Sequence, residues 1–365
     1  MASSRTSAFC FLTICTNRGQ HELLRPFAAS GRREENLRPG VREDLPQRRQ
    51  CWWEDIVMAA HAFDLMTLLD APGVGPGRVR KLLRRWSSTP EDPVMADRLM
   101  EGVLTPAQIA TLPESRERVQ RHWDDLLKHN VSVLSIIDPV YPECLRNALG
   151  DTAPVLLLCM GNLELLNHVS VGFCGSREAS GKGLATARDS ATLLANEKIN
   201  VVSGFAAGVD MNAHCAALAA GGTTTIVLAE GILRFRVKKD IRDLWDESGT
   251  LVVSEFGPNL PWSVSHAMQR NKTICGLSRA MVLIEARSTG GSIEAGRECL
   301  KMGLPLFAAV YEGSPESAAG NAELLRNGAK RLMKSRSRDL PNITPVIEAI
   351  ARPWMAHCQD QSKFF

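Results

Sequence analysis

Val169-Ser-Val-Gly-Phe-Cys174 runs straight into Gly175-Ser-Arg177, and Asn200-Val-Val-Ser203 runs into Gly204-Phe-Ala-Ala-Gly208. Each is a short, nearly continuous apolar run closed by a small-residue turn, and a stretch of helical length follows each turn. The pattern then repeats. Thr224–Ala229, Thr250–Ser254, Ala280–Glu285 and Leu304–Val310 read as further strands, with helix-length segments near 181–197, 209–220, 238–248, 263–278, 291–302 and 316–328. Strands that are apolar on both faces and separated by crossover helices specify a parallel sheet covered on both sides. An extended Rossmann-like, doubly wound, mostly parallel α/β sheet is therefore expected over residues 129–330.

Upstream, Val131–Ile137 and Val155–Met160 are two more short apolar runs, the first ending in the turn Asp138-Pro-Val-Tyr-Pro142. Residues 58–128 read as a small all-α, helix–hairpin–helix or SAM-like domain. Phe63, Met66, Leu68 and Leu69 precede Ala71-Pro-Gly-Val-Gly-Pro-Gly77, and Val79, Leu82 and Leu83 resume the helical spacing. A Pro-Gly-x-Gly turn between amphipathic helices can present backbone N–H groups to a phosphate. A tight turn in a small helical domain explains the same residues slightly better. Residues 1–57 lack periodicity and scatter Arg among Ser, Gly and Pro, so they are expected to be a disordered or artefactual leader, with the native start near Met58. Residues 331–365 hold at most one helix, Thr344–Ala351, and are expected to form a tail too short for a complete winged helix.

The 365 residues carry 43 Lys and Arg against 40 Asp and Glu, and nine of those Arg fall in the first 50 residues. The remainder is close to neutral, so a globally basic nucleic-acid binder is excluded and any basic site must be a local cluster. Apolar runs such as Val155–Met160 stop far short of the ~20 residues a membrane helix needs, so no membrane partner is expected. The ten cysteines include no C-x-x-C pair, which excludes the common zinc spacings and suits buried thiols in a reducing cytoplasm.

In such a sheet, ligands bind beyond the carboxyl ends of the strands. Gly175, Ser176 and Arg177 follow one strand; Ser203, Gly204, Phe205 and Gly208 follow the next. Glycine lets a phosphate approach the backbone, and a helix N-terminus supplies donors and partial positive charge. Arg177 adds a planar fork suited to phosphate. Gly290, Gly291 and Ser292 repeat the logic less specifically, and Arg270, Asn271 and Lys272 are expected on the neighbouring rim. A dinucleotide cofactor is not expected: G-x-G-x-x-G is missing and no acid closes the second strand. His214 reads as a packing and hydrogen-bonding residue.

Taken in order, several blocks resemble the DprA/Smf family of DNA-processing proteins. They are Asp138-Pro-Val-Tyr-Pro142, Gly161-Asn162, Gly175-Ser-Arg177 with Ser180, Val202-Ser-Gly-Phe-Ala-Ala-Gly-Val-Asp210 with Ala213-His214, Ser254-Glu, Arg270-Asn-Lys272 with Gly276-Leu-Ser278, and Glu285-Ala. The resemblance covers about residues 60–330. It implies a homodimeric, non-enzymatic protein without cofactor or metal that binds single-stranded DNA, protects it, and helps load a RecA-type recombinase during DNA uptake. By position, Gly175, Ser176 and Arg177 would touch the DNA backbone, Ser203, Gly204 and Gly208 would line a phosphate pocket, and Arg270, Asn271 and Lys272 would sit beside it. Phe205 is either a surface for bases or a core anchor. The chain departs from the family pattern where Lys272 replaces Arg, where Tyr-Pro is missing near Gly231, and where Glu294 stands for Thr.

A rival reading is a nucleotide-binding enzyme or sensor resembling the phosphoribohydrolases of the lysine-decarboxylase-like family. Thr289-Gly-Gly-Ser-Ile-Glu294 begins like their P-G-G-x-G-T-x-x-E loop, which makes Glu294 and Glu285 weak catalytic candidates.

Overall fold

The computed structural model describes residues 61–87, 94–311, 316–335 and 339–352. The expected leader, 1–57, and the last part of the expected tail, 353–365, lie outside them. Helices α1 (residues 61–70), α2 (Pro76–Trp86), α3 (Asp97–Met100) and α4 (Pro106–Lys128) form the N-terminal part. Thr105 and Gln108 build a reciprocal capping box at the start of α4, which fixes where that long helix begins.

The remaining elements are β1 (Ser132–Ser135), α5 (Glu143–Leu149), β2 (Leu156–Gly161), β3 (Ser170–Cys174), α6 (Gly181–Asn196), β4 (Asn200–Ser203), α7 (Val209–Ala219), β5 (Thr224–Val227), α8 (Lys239–Arg242), β6 (Thr250–Ser254), α9 (Val264–Gly276), β7 (Ala280–Leu283), α10 (Gly291–Lys301), β8 (Leu306–Ala309), α11 (Asn321–Arg326), β9 (Lys330–Leu332) and α12 (Thr344–Ala351). All nine strands join one sheet in the order β1-β2-β6-β5-β4-β3-β7-β8-β9. From β6 to β9 neighbouring strands are parallel, as a doubly wound sheet requires. The two upstream runs add to one edge, β2 antiparallel to β6 and β1 antiparallel to β2.

Both faces are apolar because alternate strand residues feed separate layers. Val171 and Phe173 of β3, with Ala280 and Val282 of β7, pack against α6, α7 and α12. Cys174, Met281 and Leu283 point into the opposite layer, against Ile274 and Cys275 of α9 and Ile293 and Cys299 of α10. A third apolar cluster joins α1, α2 and α4 to Leu156, Leu158, Ile226 and Val252.

Three expectations change. The helix expected over 238–248 ends at Arg242, and beyond it the Asp246 carboxylate accepts from the Ser248 N–H (3.0 Å) and hydroxyl (2.6 Å), closing a turn instead of another helical turn. The helix expected over 316–328 is split into a short 3-10 turn and α11. Residues past 330 also do more than trail: β9 pairs with β8, and Val346 and Ile350 of α12 are buried in the layer behind β3 and β7.

Candidate nucleic-acid interface

β3 is central. The chain moves away from it through β4, β5 and β6, then returns to its other side as β7. The loops after β3 and β7 therefore diverge, which opens a crevice at the carboxyl ends of the strands. A cavity of about 430 Å³ lies there, lined by Gly175, Ser176, Arg177, Arg270, Asn271, Gly291 and Ser292 among others.

The first two turns interlock. Val209 N–H donates to Ser176 O (3.3 Å), and Ser176 N–H donates to Glu285 O (2.7 Å). Gly208 has φ +78°, and a Cβ there would stand 2.6 Å from Arg177 O, so the close contact requires glycine. Arg177 projects from this paired backbone as an exposed side chain. Its guanidinium lies 5.6 Å from the ring centroid of Trp262, whose surface is 47% exposed. A cation over an aromatic face holds that geometry by electrostatic attraction.

Arg270 comes from α9 and is only 7% exposed. Its guanidinium packs directly on Gly204, where any side chain would collide with it. Its Nε has no hydrogen-bond partner. Burial pushes its pKa down; nearby Asp210 opposes that, and the like charge of Arg177 adds to it. A guanidinium stays charged under such shifts. Asp210 is itself buried, accepts weakly from Ala206 N–H (3.4 Å), and has its pKa raised by burial against the pull of Arg270. Two arginines of like charge, one desolvated, thus converge where an anion would relieve both.

A second cavity, about 540 Å³, begins on the other side of the same pair. Arg177, Arg270, Trp262 and Ala206 line both. Phe205 forms a wall of the second cavity, yet it is also half-buried, its ring 5.2 Å from that of Phe235 and 4.2 Å beneath Lys238 Nζ. Its packing on Phe235 makes it an anchor of the second turn.

Other expected site residues stand elsewhere. Ser203 is fully buried and donates its hydroxyl to Phe173 O (2.8 Å), clipping β4 to β3; it reaches neither cavity. Gly204 likewise serves as the floor beneath Arg270. Lys272 is turned away, 3.8 Å from Glu298 Oε1, into a separate acid-bearing cavity with Glu294. Successive helical residues point about 100° apart, so Arg270, Asn271 and Lys272 cannot all face one groove. Asn271 keeps to the rim and donates to Gly291 O (3.3 Å). Gly290, at φ +108°, caps α10 only through its backbone, leaving Gly291 and Ser292 at an end with no side-chain cap, open to the first cavity.

The N-terminus of α6 is already occupied. Glu285, fully buried, accepts from Ser180 N–H (2.8 Å) and from the Ser180 hydroxyl (2.5 Å). Its carboxylate is the anion of that helix end. Glu294 pairs with Arg297. Neither acid lines the crevice, so the hydrolase reading finds no carboxylate from those positions there. His214 is fully buried, with Nε2 2.6 Å from Gly204 O and Nδ1 2.6 Å from Thr224 Oγ1, so it secures the second turn from below.

Trp262 and Lys238 escaped the sequence reading. The available signal was a lone tryptophan in the proline-bearing loop Gly257-Pro-Asn-Leu-Pro-Trp262. In the N-terminal helices, three cations of α2 are engaged: Arg80 donates to Ala153 O, Arg84 pairs with Asp151 (2.5 Å) and Arg85 donates to Leu99 O (3.1 Å). Gly73 O of the Pro-Gly-Val-Gly turn accepts from Gln108 Nε2 of α4 (2.9 Å), which ties the turn to that helix.

The profile of the family described as DNA recombination-mediator protein A matches residues 132–339, more than half of the chain. The chain belongs to that family. The DNA processing protein DprA of Streptococcus pneumoniae is 36% identical over 201 residues, covering 54% of this chain and 69% of that relative. Protein Smf of Escherichia coli is 31% identical over 179 residues, 48% of each chain. The X-ray structure of the Streptococcus pneumoniae DprA superposes with a TM-score of 0.65 at 28% identity, covering 74% of this chain and 94% of the other. The family match takes in the whole sheet from β1 to β9, and with it every residue of the crevice. Among the described residues, no helix is long and apolar enough to cross a membrane.

Proposed function

We propose that this protein binds single-stranded DNA along the crevice at the carboxyl ends of β3 and β7. One observation carries the reading: Arg177 and Arg270 converge, with a half-exposed tryptophan, where two open cavities meet. Sequence-neutral binding of a single strand needs cations for phosphates and an aromatic face for bases, both reachable from one groove. Gly291 and Ser292 add backbone donors at the start of α10, a further seat for a phosphate oxygen. The cations are gathered at one point of the sheet rim, in a chain whose net charge is only +3, and do not form a broad basic face.

The family's description as a recombination mediator supports the rest of the reading. The bound strand is shielded, and is handed to a RecA-type recombinase by a homodimer in the cytoplasm during DNA uptake. Binding, with no bond made or broken, is the activity.

Arg177→Ala tests the reading. In an anisotropy titration with a labelled oligothymidine, affinity should fall for all base compositions alike, and the salt slope should drop by about 0.7, the value of one single-strand phosphate contact. An unchanged affinity and slope would place the strand elsewhere.

A further inference from the structure

Arginines also gather away from the crevice, where the second half of α2 meets the turn after β1 and the end of α5. A cavity of about 190 Å³ opens there and shares no lining residue with the two crevice cavities. Its floor is apolar: Leu83 is buried, and the half-buried Ile136, Ile137 and Trp86 extend it. Arg80 and Arg84, one turn apart on α2, and Arg146 of α5 stand around that floor.

Each guanidinium is positioned, yet keeps donors to spare. Arg80 donates to Ala153 O. Arg146 Nη2 donates to Asp138 O (3.2 Å), and its guanidinium lies 5.4 Å from the ring centroid of Tyr141. A guanidinium has five N–H groups, and Nε of Arg146 is buried without a partner. Arg84 pairs with Asp151 (2.5 Å), but the two side chains are 52% and 68% exposed, a setting in which an ion pair is weak. Burial lowers the pKa of Arg80 against the pull of Tyr141 and Asp151, and the like charge of Arg84 adds to the lowering. Among the described residues on the cavity wall, three cations face one acid, a surplus of two positive charges. The Asp138 carboxylate does not line the cavity; it accepts from Ser135 N–H (2.5 Å).

We propose that this cavity binds a nucleoside 5′-phosphate, with the phosphate on Arg80, Arg84 and Arg146 and the base on the apolar floor. A phosphomonoester carries about −1.5 to −2 charges at neutral pH and three acceptor oxygens, which answers the surplus; a phosphodiester, with a single charge, does not. Planar guanidinium forks fit those oxygens, and an indole beside aliphatic side chains offers a flat heterocycle its apolar contact. The same chemistry belongs to a free nucleotide and to the 5′-phosphorylated end of a DNA strand. The site is separate from the crevice, so it stands or falls independently of strand binding there.

Calorimetric titration with thymidine 5′-monophosphate, thymidine and inorganic phosphate tests the site in the wild type, R84Q, R146Q and R177A, with thermal melting to confirm folding. The monophosphate should bind more tightly than either of its parts. R84Q and R146Q should each weaken it roughly tenfold, the value of a charge-assisted hydrogen bond, while R177A should leave it in place. Should R146Q fail to fold, R84Q carries the test, because its side chain is exposed. No heat with the monophosphate, undiminished binding by R84Q, or a matching loss in R177A would overturn the site. Labelled oligothymidines with a 5′-phosphate or a 5′-hydroxyl then identify the source. A preference for the phosphorylated strand that R84Q abolishes assigns the cavity to strand ends, and equal affinity assigns it to the free nucleotide. Binding of the monophosphate without binding of either oligothymidine would overturn the DNA reading and leave this site standing.

Discussion

Trp262 keeps almost half of its surface in solvent while Arg177 rests over its ring. Charge and stacking are therefore offered by adjacent side chains at one point of the groove. Trp262→Ala should cost about 1–3 kcal/mol of affinity for oligothymidine, the value of one stacked base, yet leave the affinity for an abasic strand of equal length nearly unchanged. Equal losses on both strands would show that the indole only props Arg177. His214 acts from beneath. Burial lowers its pKa from 6.5 to about 4. Between these values the unfolded chain binds the extra proton, so the stability linked to His214 is complete above pH 6.5 and drains away as pH falls toward 4. Asp210 and Glu255, whose pKa values burial raises, work in the opposite sense, because their folded forms hold protons more tightly. Comparison with His214→Gln isolates the imidazole. The wild type should lose roughly 3 kcal/mol relative to the variant between neutral pH and pH 4 in urea unfolding, and parallel pH profiles would refute the assignment.

At the scale of elements, the site depends on two βα turns that share a backbone contact. Gly208 sits at φ +78° against Arg177 O and Ser176 O, so Gly208→Ala should cost about 1–3 kcal/mol of stability and separate the turns. A lowered denaturation midpoint together with weakened oligonucleotide binding is the expected pair of results; an unchanged midpoint would mean that the turns accommodate a side chain. These turns were legible because glycine spacing after an apolar run is a local signal, and the run-turn-helix grammar places it at the rim. Arg270 was legible as a cation near the fifth run, but its burial on Gly204 was not, since that contact joins segments 66 residues apart. Lys272 was misplaced because adjacency in sequence was read as adjacency in space, which a helix denies. Trp262 and Lys238 belong to irregular segments without periodicity, whose course is set by tertiary packing alone.

For the whole molecule, the alternation of strand-like and helix-like segments was enough to give the doubly wound sheet, and the single helix expected at Thr344–Ala351 is present with those bounds. The nine-strand count was less accessible. β1 and β2 pair antiparallel with the edge, and β9 is only three residues long, so neither follows from crossover logic. The sheet order explains the site: β3 is the switch point, the loop after it carries Arg177, and α9 brings Arg270 beside it, while the chain as a whole is nearly neutral. Binding should therefore be local and salt-sensitive. The most direct test is a titration of the wild-type protein with an oligonucleotide and its duplex form between roughly 50 and 200 mM salt. The single strand should bind tightly, more weakly as salt rises, and the duplex markedly more poorly at every salt concentration; equal affinity for both forms, or none for either, would rule out single-strand binding at this crevice.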